Sequence, residues 1–403
     1  MGYLAKHLSA FGWEPTILTR RAPHANGSEK NIIRVGGAFR VRIPATAEAE
    51  RKPYTALSPL KACVRDVVFF PDRAAHWIPF ATAAGLSAHN RRPFDAILSS
   101  AMPASAHVAA FLLASLLKIP WLADYRDLWT GNPYIDDPSW KKDFAVRLER
   151  RILRKAAAIT TITPALAAAL ETFHARPVRA ISNAVDIDEW NDVPFGSPNG
   201  FRIVHAGSLY DGRRSPARLF SQIAALRRKG ELRDVAIDFY GPNPGNLLEL
   251  SQRYDLGDAV KYHGVVERRE AMRAERAAAL LVIIQNDDPQ TASEYGSKIF
   301  EYQAAGPRIL VCGPQAGVLR GYVQEHQLGW YASGDEELRE SLRAAYRLYA
   351  EGDVVRQSFQ SGTVRVLAEE FAATLDEMLA SHVPEPRSAG ATGFEKKESA
   401  ILR

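Results

Sequence analysis

The chain has 403 residues, 46% hydrophobic and 24% charged, enough for two packed domains of ordinary soluble composition. A net charge of +5 favours anionic small molecules or membrane surfaces as partners and is too small to argue for nucleic acid. Cys63 and Cys312 are far apart and each sits beside apolar residues, which suggests neither a disulfide framework nor a metal cluster; with no apolar run of membrane-spanning length and no secretory layout in residues 1–7, a reducing cytoplasm is the expectation.

Residues 3–11 have helical spacing of apolar side chains, Gly12 stops the helix, and 14–19 read as a strand. A doubly wound domain normally begins with a central strand that enters its first helix through a glycine-rich turn. Without that strand its neighbours leave backbone groups unpaired inside the sheet. The expectation is therefore an upstream strand and loop missing through a late start or a truncation, with Gly2 as the loop's remnant. Residues 21–55, rich in Arg, Asn, Gly and Pro, read as a long connection containing a strand at 32–35. Residues 65–72 stay open between strand and loop, and a helix runs from Trp77 towards Asn90.

A β-α-β unit follows, with strands at 94–100 and 120–125 around a helix at 103–118, hence parallel. Asp124, Arg126 and Asp127 then stand at the carboxyl edge of the sheet, where such folds bind ligands; fixing a loop is the alternative role. Residues 141–155 set Lys141, Lys142, Arg147, Arg150, Arg151, Arg154 and Lys155 around an apolar stripe of Phe144, Leu148, Ile152 and Leu153. This is either a solvated face or a contact with an anionic membrane surface. Strands at 157–163 and 178–183 close the domain, and 191–200, with Pro194, Gly196, Pro198 and Gly200, reads as a linker.

The pattern then restarts. Strands at 201–207, 235–241, 260–265 and 280–284 alternate with helices from 216, 246 and 269. Gly296 and Ser297 read as an approach and an N-cap to a short helix that Gly306 ends before a buried strand at 308–312. Lys298 and Glu301 share one face of that helix. A cation and a carboxylate beside a helix N-terminus suit a ligand with phosphate and hydroxyls; a surface ion pair is the alternative. The last helix is expected at 368–379, and 381–403 as a disordered tail. The fold class is α/β, two tandem Rossmann-like doubly wound domains, the first lacking its first strand. The domains are 1–190, a linker at 191–200, 201–362, a helix at 363–380 crossing back to the first domain, and the tail.

In order and spacing, Ala206-Gly207-Ser208-Leu209-Tyr210-Asp211-Gly212-Arg213-Arg214, Phe239-Tyr240-Gly241, Tyr262-His263-Gly264 and Ser297-Lys298-Ile299-Phe300-Glu301-Tyr302-Gln303-Ala304-Ala305-Gly306 resemble the nucleotide-sugar domain of retaining GT-B glycosyltransferases of family 4 (group 1). Residues 95–100, 121–129 and 182–186 resemble the acceptor side. The resemblance implies that Glu301 accepts hydrogen bonds from the donor's ribose hydroxyls, that Arg213, Arg214 and Lys298 neutralise its diphosphate beside Gly207, and that Ser208, Tyr240, Gly241, Gly264 and Ser297 line the site. It also implies retaining, metal-independent transfer to a glycan or lipid-linked sugar in cell-envelope or exopolysaccharide synthesis. The co-substrate is a nucleoside-diphosphate sugar with no cofactor, and the place is the cytoplasm, peripheral on the inner face of the membrane.

Two departures qualify the match. Where many relatives carry a first glutamate this chain has Ser293, with Glu294 one step out of register, about 100° around a helix. Where many place a histidine it has Arg126, which cannot serve as a general base, so Arg126 or Asp127 would orient a substrate, with His107 the other catalytic candidate. A nucleotide-sugar 2-epimerase of the same fold and a catalytically silent scaffold or sensor remain the alternatives.

Overall fold

A computed structural model describes residues 2–21, 31–36, 66–132, 135, 137–210, 212–286, 292, 296–353, 362–382 and 397–402. The expectations for Cys63, Asp211, Ser293 and Glu294 and for most of 21–55 lie outside them. Two units emerge, one running to Asn183 and resuming at Gly362, the other from Ala184 to Ser361.

In chain order the first unit contributes β1 (Trp13–Arg20), β2 (Ile32–Val35), β3 (Ala96–Ala101), β4 (Trp121–Tyr125), β5 (Ala158–Thr161) and β6 (Arg179–Ala180). The second contributes β7 (Phe201–Ala206), β8 (Val235–Tyr240), β9 (Val260–Gly264), β10 (Leu280–Ile284), β11 (Ile309–Cys312) and β12 (Gly329–Ala332). The chain returns to the first unit with the helix Val364–Ser381 and a last strand, β13 (Lys397–Leu402). Both sheets are parallel throughout, in the orders β2-β1-β13-β3-β4-β5-β6 and β12-β11-β10-β7-β8-β9. Parallel strands covered on both faces need near-continuous burial, and β3, β4 and β11 are buried at every position.

β13 overturns two expectations. Residues 381–403 are not wholly without structure, and the place expected to stand empty in the first sheet is filled from the C-terminal side of the chain. Between β1 and β3 an unfilled place would leave a row of amides and carbonyls unpaired on each side. β13 pairs in register with both. Its side chains suit a central strand, because Ala400 and Ile401 are buried in the cores on opposite faces of the sheet.

The unit boundary also differs from the expected break at 190. It falls at Asn183, ahead of the Pro- and Gly-rich stretch, because Val185, Trp190 and Val193 are buried in the second unit's core with Ile299 and Tyr302. Gly12 sits at φ 83°, the left-handed turn that stops the opening helix before β1.

Candidate functional site

The second sheet ends in glycines at three neighbouring strands. The Gly207 amide donates to the Tyr240 carbonyl at 2.7 Å and the Gly241 amide to the Gly264 carbonyl at 2.7 Å. The Tyr262 hydroxyl donates to the Gly241 carbonyl at 2.9 Å. A Cβ on Gly241, at φ +128°, would stand 2.6 Å from the Gly207 carbonyl oxygen, so the backbones meet only because no side chain intervenes. A Cβ on Gly207 would instead point at Lys298 Cε, 3.5 Å away, and His205 Nε2, 3.6 Å away.

The helix Lys298–Ala305 is anchored to this edge by Tyr302. Its buried hydroxyl accepts from the Ala206 amide at 2.8 Å and donates towards the Val282 carbonyl at 3.5 Å. Ile299 and Phe300 are buried, which leaves Lys298 and Glu301 at the rim. Lys298 Nζ donates to Glu301 Oε2 at 2.7 Å, Arg268 Nη1 donates to Glu301 Oε1 at 3.2 Å, and Arg268 also pairs with Glu189 at 2.6 Å. Burial works against the charges of Lys298 and Glu301, yet their ionic partners outweigh it. Lys298 is held above the usual lysine range and Glu301 below the usual carboxylate range. Both oxygens of Glu301 therefore meet cations.

His205, on β7, donates from Nδ1 to the Val282 carbonyl at 2.9 Å, and its Nε2 has no hydrogen-bond partner among the described residues. Burial, with the charges of Lys298 and Arg214, lowers its pKa to about 4, so the ring is neutral. The Arg214 guanidinium lies 4.5 Å from the centre of the Tyr210 ring, in the turn that follows Gly207. Arg213 belongs to the same turn, its amide donating to the Tyr210 carbonyl at 3.1 Å. Ser208 Oγ accepts from the Tyr210 amide at 3.1 Å and shapes that turn. Tyr240 stacks on His263, the ring centres 4.3 Å apart and the planes nearly parallel at 5°. Ser297 is a correction, since its side chain makes no cap; its carbonyl accepts from the amides of Phe300 and Glu301.

The sequence reading overlooked Arg268 and Glu275. Both lie on the helix Arg268–Arg276, where Met272 and Glu275 are buried. A carboxylate in phase with the apolar Met272 was the available signal.

In the first unit the three catalytic candidates part company. His107 is fully buried, a correction to its expected place at the ligand edge. Trp121 Nε1 donates to Ser99 Oγ at 2.7 Å, and Ser99 Oγ lies 2.7 Å from His107 Nδ1, so the serine hydroxyl links the indole to the imidazole. Burial, with a small contribution from His174, lowers the His107 pKa to about 3. Arg126 is committed to structure. Its guanidinium bonds both oxygens of the buried Asp124, at 2.8 and 3.1 Å, and the Ser182 carbonyl at 3.0 Å, and lies over the Phe371 ring. Asp127 is exposed at the following turn.

Residues 1–184 match the family model described as a glycosyl transferase 4-like domain. No curated protein matches the chain. Among solved structures the chain is similar to a sucrose-phosphate synthase from Thermosynechococcus elongatus, with TM-score 0.58 and 16% identity over 94% of this chain and 89% of that one. It is also similar to the pneumococcal O-GlcNAc transferase GtfA, solved with UDP and GlcNAc, with TM-score 0.50 and 14% identity over 74% and 60%. The two parallel sheets and the matched domain define a glycosyltransferase of the GT-B fold. Among the described residues no helix is long and apolar enough to cross a membrane.

Proposed function

We propose that the protein transfers a sugar, with retention and without a metal, from a nucleoside-diphosphate sugar to a hydroxyl of a glycan or lipid-linked acceptor in cell-envelope or exopolysaccharide synthesis. The observation that supports this reading best is the Lys298–Glu301 pair beside the Gly207–Gly241 backbone contact. Glu301 offers two acceptor oxygens for a vicinal diol. Lys298, Arg213 and Arg214 supply the positive charge that a departing diphosphate needs, and such contacts accelerate the step when they strengthen in the transition state. The bond from the anomeric carbon to the diphosphate oxygen breaks, the acceptor oxygen bonds to that carbon on the same face, and the hydroxyl proton leaves with the diphosphate. Asp127, exposed at the first sheet's carboxyl edge, is the side chain assigned to orient the acceptor.

A thermal-shift panel of UDP, GDP, ADP and dTDP with EDTA present tests the reading. At least one should stabilise the protein, and Glu301→Gln should reduce the shift. No shift with any of the four sinks it.

The helix Ser139–Leu153 supports work at a membrane surface on the cytoplasmic side. Ile152 and Leu153 are buried, whereas Phe144, expected on the inner stripe, is 54% exposed and Trp140 43%. Exposed aromatic side chains beside Lys142, Arg147 and Arg151 suit an anionic interface. Co-sedimentation with vesicles containing phosphatidylglycerol, lost on Trp140→Ser with Phe144→Ser, is the expected result; binding unaffected by the two changes would refute it.

A further inference from the structure

Glu275 is 3% exposed, and its Oε1 lies 3.7 Å from Lys298 Nζ. Taking a carboxylate out of water is costly unless a cation accompanies it. The site therefore divides one ammonium between two carboxylates, Glu301 at 2.7 Å and Glu275 at 3.7 Å. The groups that face Glu275 are Lys298, Glu301 and Tyr302 on the helix Lys298–Ala305 and Arg268 on its own helix, with His205 bordering Lys298 from β7.

We propose that Glu275 is a positioning residue for Lys298: it keeps the ammonium in place when Glu301 turns to a ligand's hydroxyls, and binding of an anion at Lys298 is coupled to protonation of Glu275. This deepens the functional reading and rests on Lys298 as an anion-binding group. A diol that occupies the acceptor oxygens of Glu301 leaves Lys298 with Glu275 as its remaining carboxylate. An anion arriving at Lys298 also brings negative charge towards Glu275, which favours the neutral carboxyl. Burial already pushes the Glu275 pKa up to about 7, against the pull of Lys298 and Arg268. A small further push then adds a proton near neutral pH. By linkage, anion binding weakens as pH rises through that value.

The first test needs no ligand. A double-mutant cycle of Glu275→Gln and Lys298→Met, read from urea unfolding, should show coupling at about pH 8, where Glu275 is ionised, and lose it at about pH 5.5. Coupling that is absent, or equal at both pH values as for a packing contact, overturns the proposal.

The second test measures Kd for UDP and for inorganic pyrophosphate at about pH 6 and about pH 8. The ratio of wild type to Glu275→Gln cancels the ligand's own ionisation. That ratio should rise several-fold with pH. A flat ratio with measurable binding overturns the coupling to anions while leaving the nucleotide reading intact. A rising ratio with pyrophosphate, when no nucleoside diphosphate binds, upholds the proposal and removes the nucleotide reading. Absence of binding by pyrophosphate and by all four nucleoside diphosphates overturns both.

Discussion

Ile401 lies between Ile17 and Leu98, paired with Ile17 of β1 on one side and with Leu98 of β3 on the other. It is fully buried, and β13 is the element through which the two parts of the first sheet are joined. Deleting residues 397–403 should expose the facing edges of β1 and β3. Hydrogen exchange is expected to accelerate in 13–20 and 96–101 and to stay unchanged in 201–206, which belongs to the other unit. Ile401→Ala should cost about 2–5 kcal/mol, as for other large-to-small core changes. Unchanged protection of β1 and β3 after the deletion would remove β13 from the sheet.

Gly207 and Gly241 should respond differently to the same methyl group. At Gly241 the added carbon would meet the Gly207 carbonyl oxygen at 2.6 Å. Gly241→Ala is therefore expected to lose about 1–3 kcal/mol of stability as the backbones are forced apart. At Gly207 the neighbours stand at 3.5 and 3.6 Å, ordinary contact distances, although φ +155° still disfavours a side chain. Gly207→Ala should keep most of the stability and lose UDP-induced stabilisation, because its methyl occupies the space beside Lys298. Equal UDP shifts in wild type and Gly207→Ala would show that ligand does not enter there.

The strands were legible because parallel strands buried on both faces read as apolar runs, as 280–284 and 309–312 do. Lys298 and Glu301 were legible because Gly306 marks the end of a helix short enough to fix their common face. β13 was not. Lys397 and Glu398 give its start the look of a solvated tail, and only the unfilled place between β1 and β3 makes 399–401 a core segment. His107 misled for a different reason. The helix Ser105–Leu117 is apolar around most of its circumference, so phase could not say which side faces the sheet. Arg126 was located correctly at the sheet edge, but its claim by Asp124 depends on Ser100, Thr160 and Ser182, which arrive from separate segments.

Three buried groups predict opposite pH trends. His107 and His205 have pKa values lowered to about 3 and about 4, so the fold prefers their neutral forms. Their contribution is fully present above the unfolded value of 6.5 and is lost as pH falls towards 3. Glu275, raised to about 7, contributes stability below its unfolded value of 4.5 that is lost as pH rises through 7. Urea midpoints of the wild type should thus fall on the acid side below 6.5. His107→Leu should flatten that limb, while Glu275→Gln should flatten the limb between 4.5 and 7. An acid limb as steep in His107→Leu as in the wild type would mean that His107 is protonated in the fold.

Arg126 offers the sharpest separation of structure from catalysis. Asp124 is fully buried and receives Thr160 Oγ1 at 2.8 Å and Ser100 Oγ at 3.2 Å in addition to the two guanidinium contacts. Removing one partner of a buried pair leaves the other charge uncompensated, at a cost of about 3–5 kcal/mol. Arg126→Ala should reach that cost, whereas Arg126→Ala with Asp124→Asn should recover much of it, because an amide keeps hydrogen bonds to the two hydroxyls without a charge. The same change also releases the Ser182 carbonyl from the guanidinium. If Arg126 serves only the fold, the rescued double variant regains transfer together with stability. Asp127→Asn should do the opposite, leaving the unfolding midpoint in place while lowering turnover. Turnover that stays low in the stable double variant would return Arg126 to the substrate.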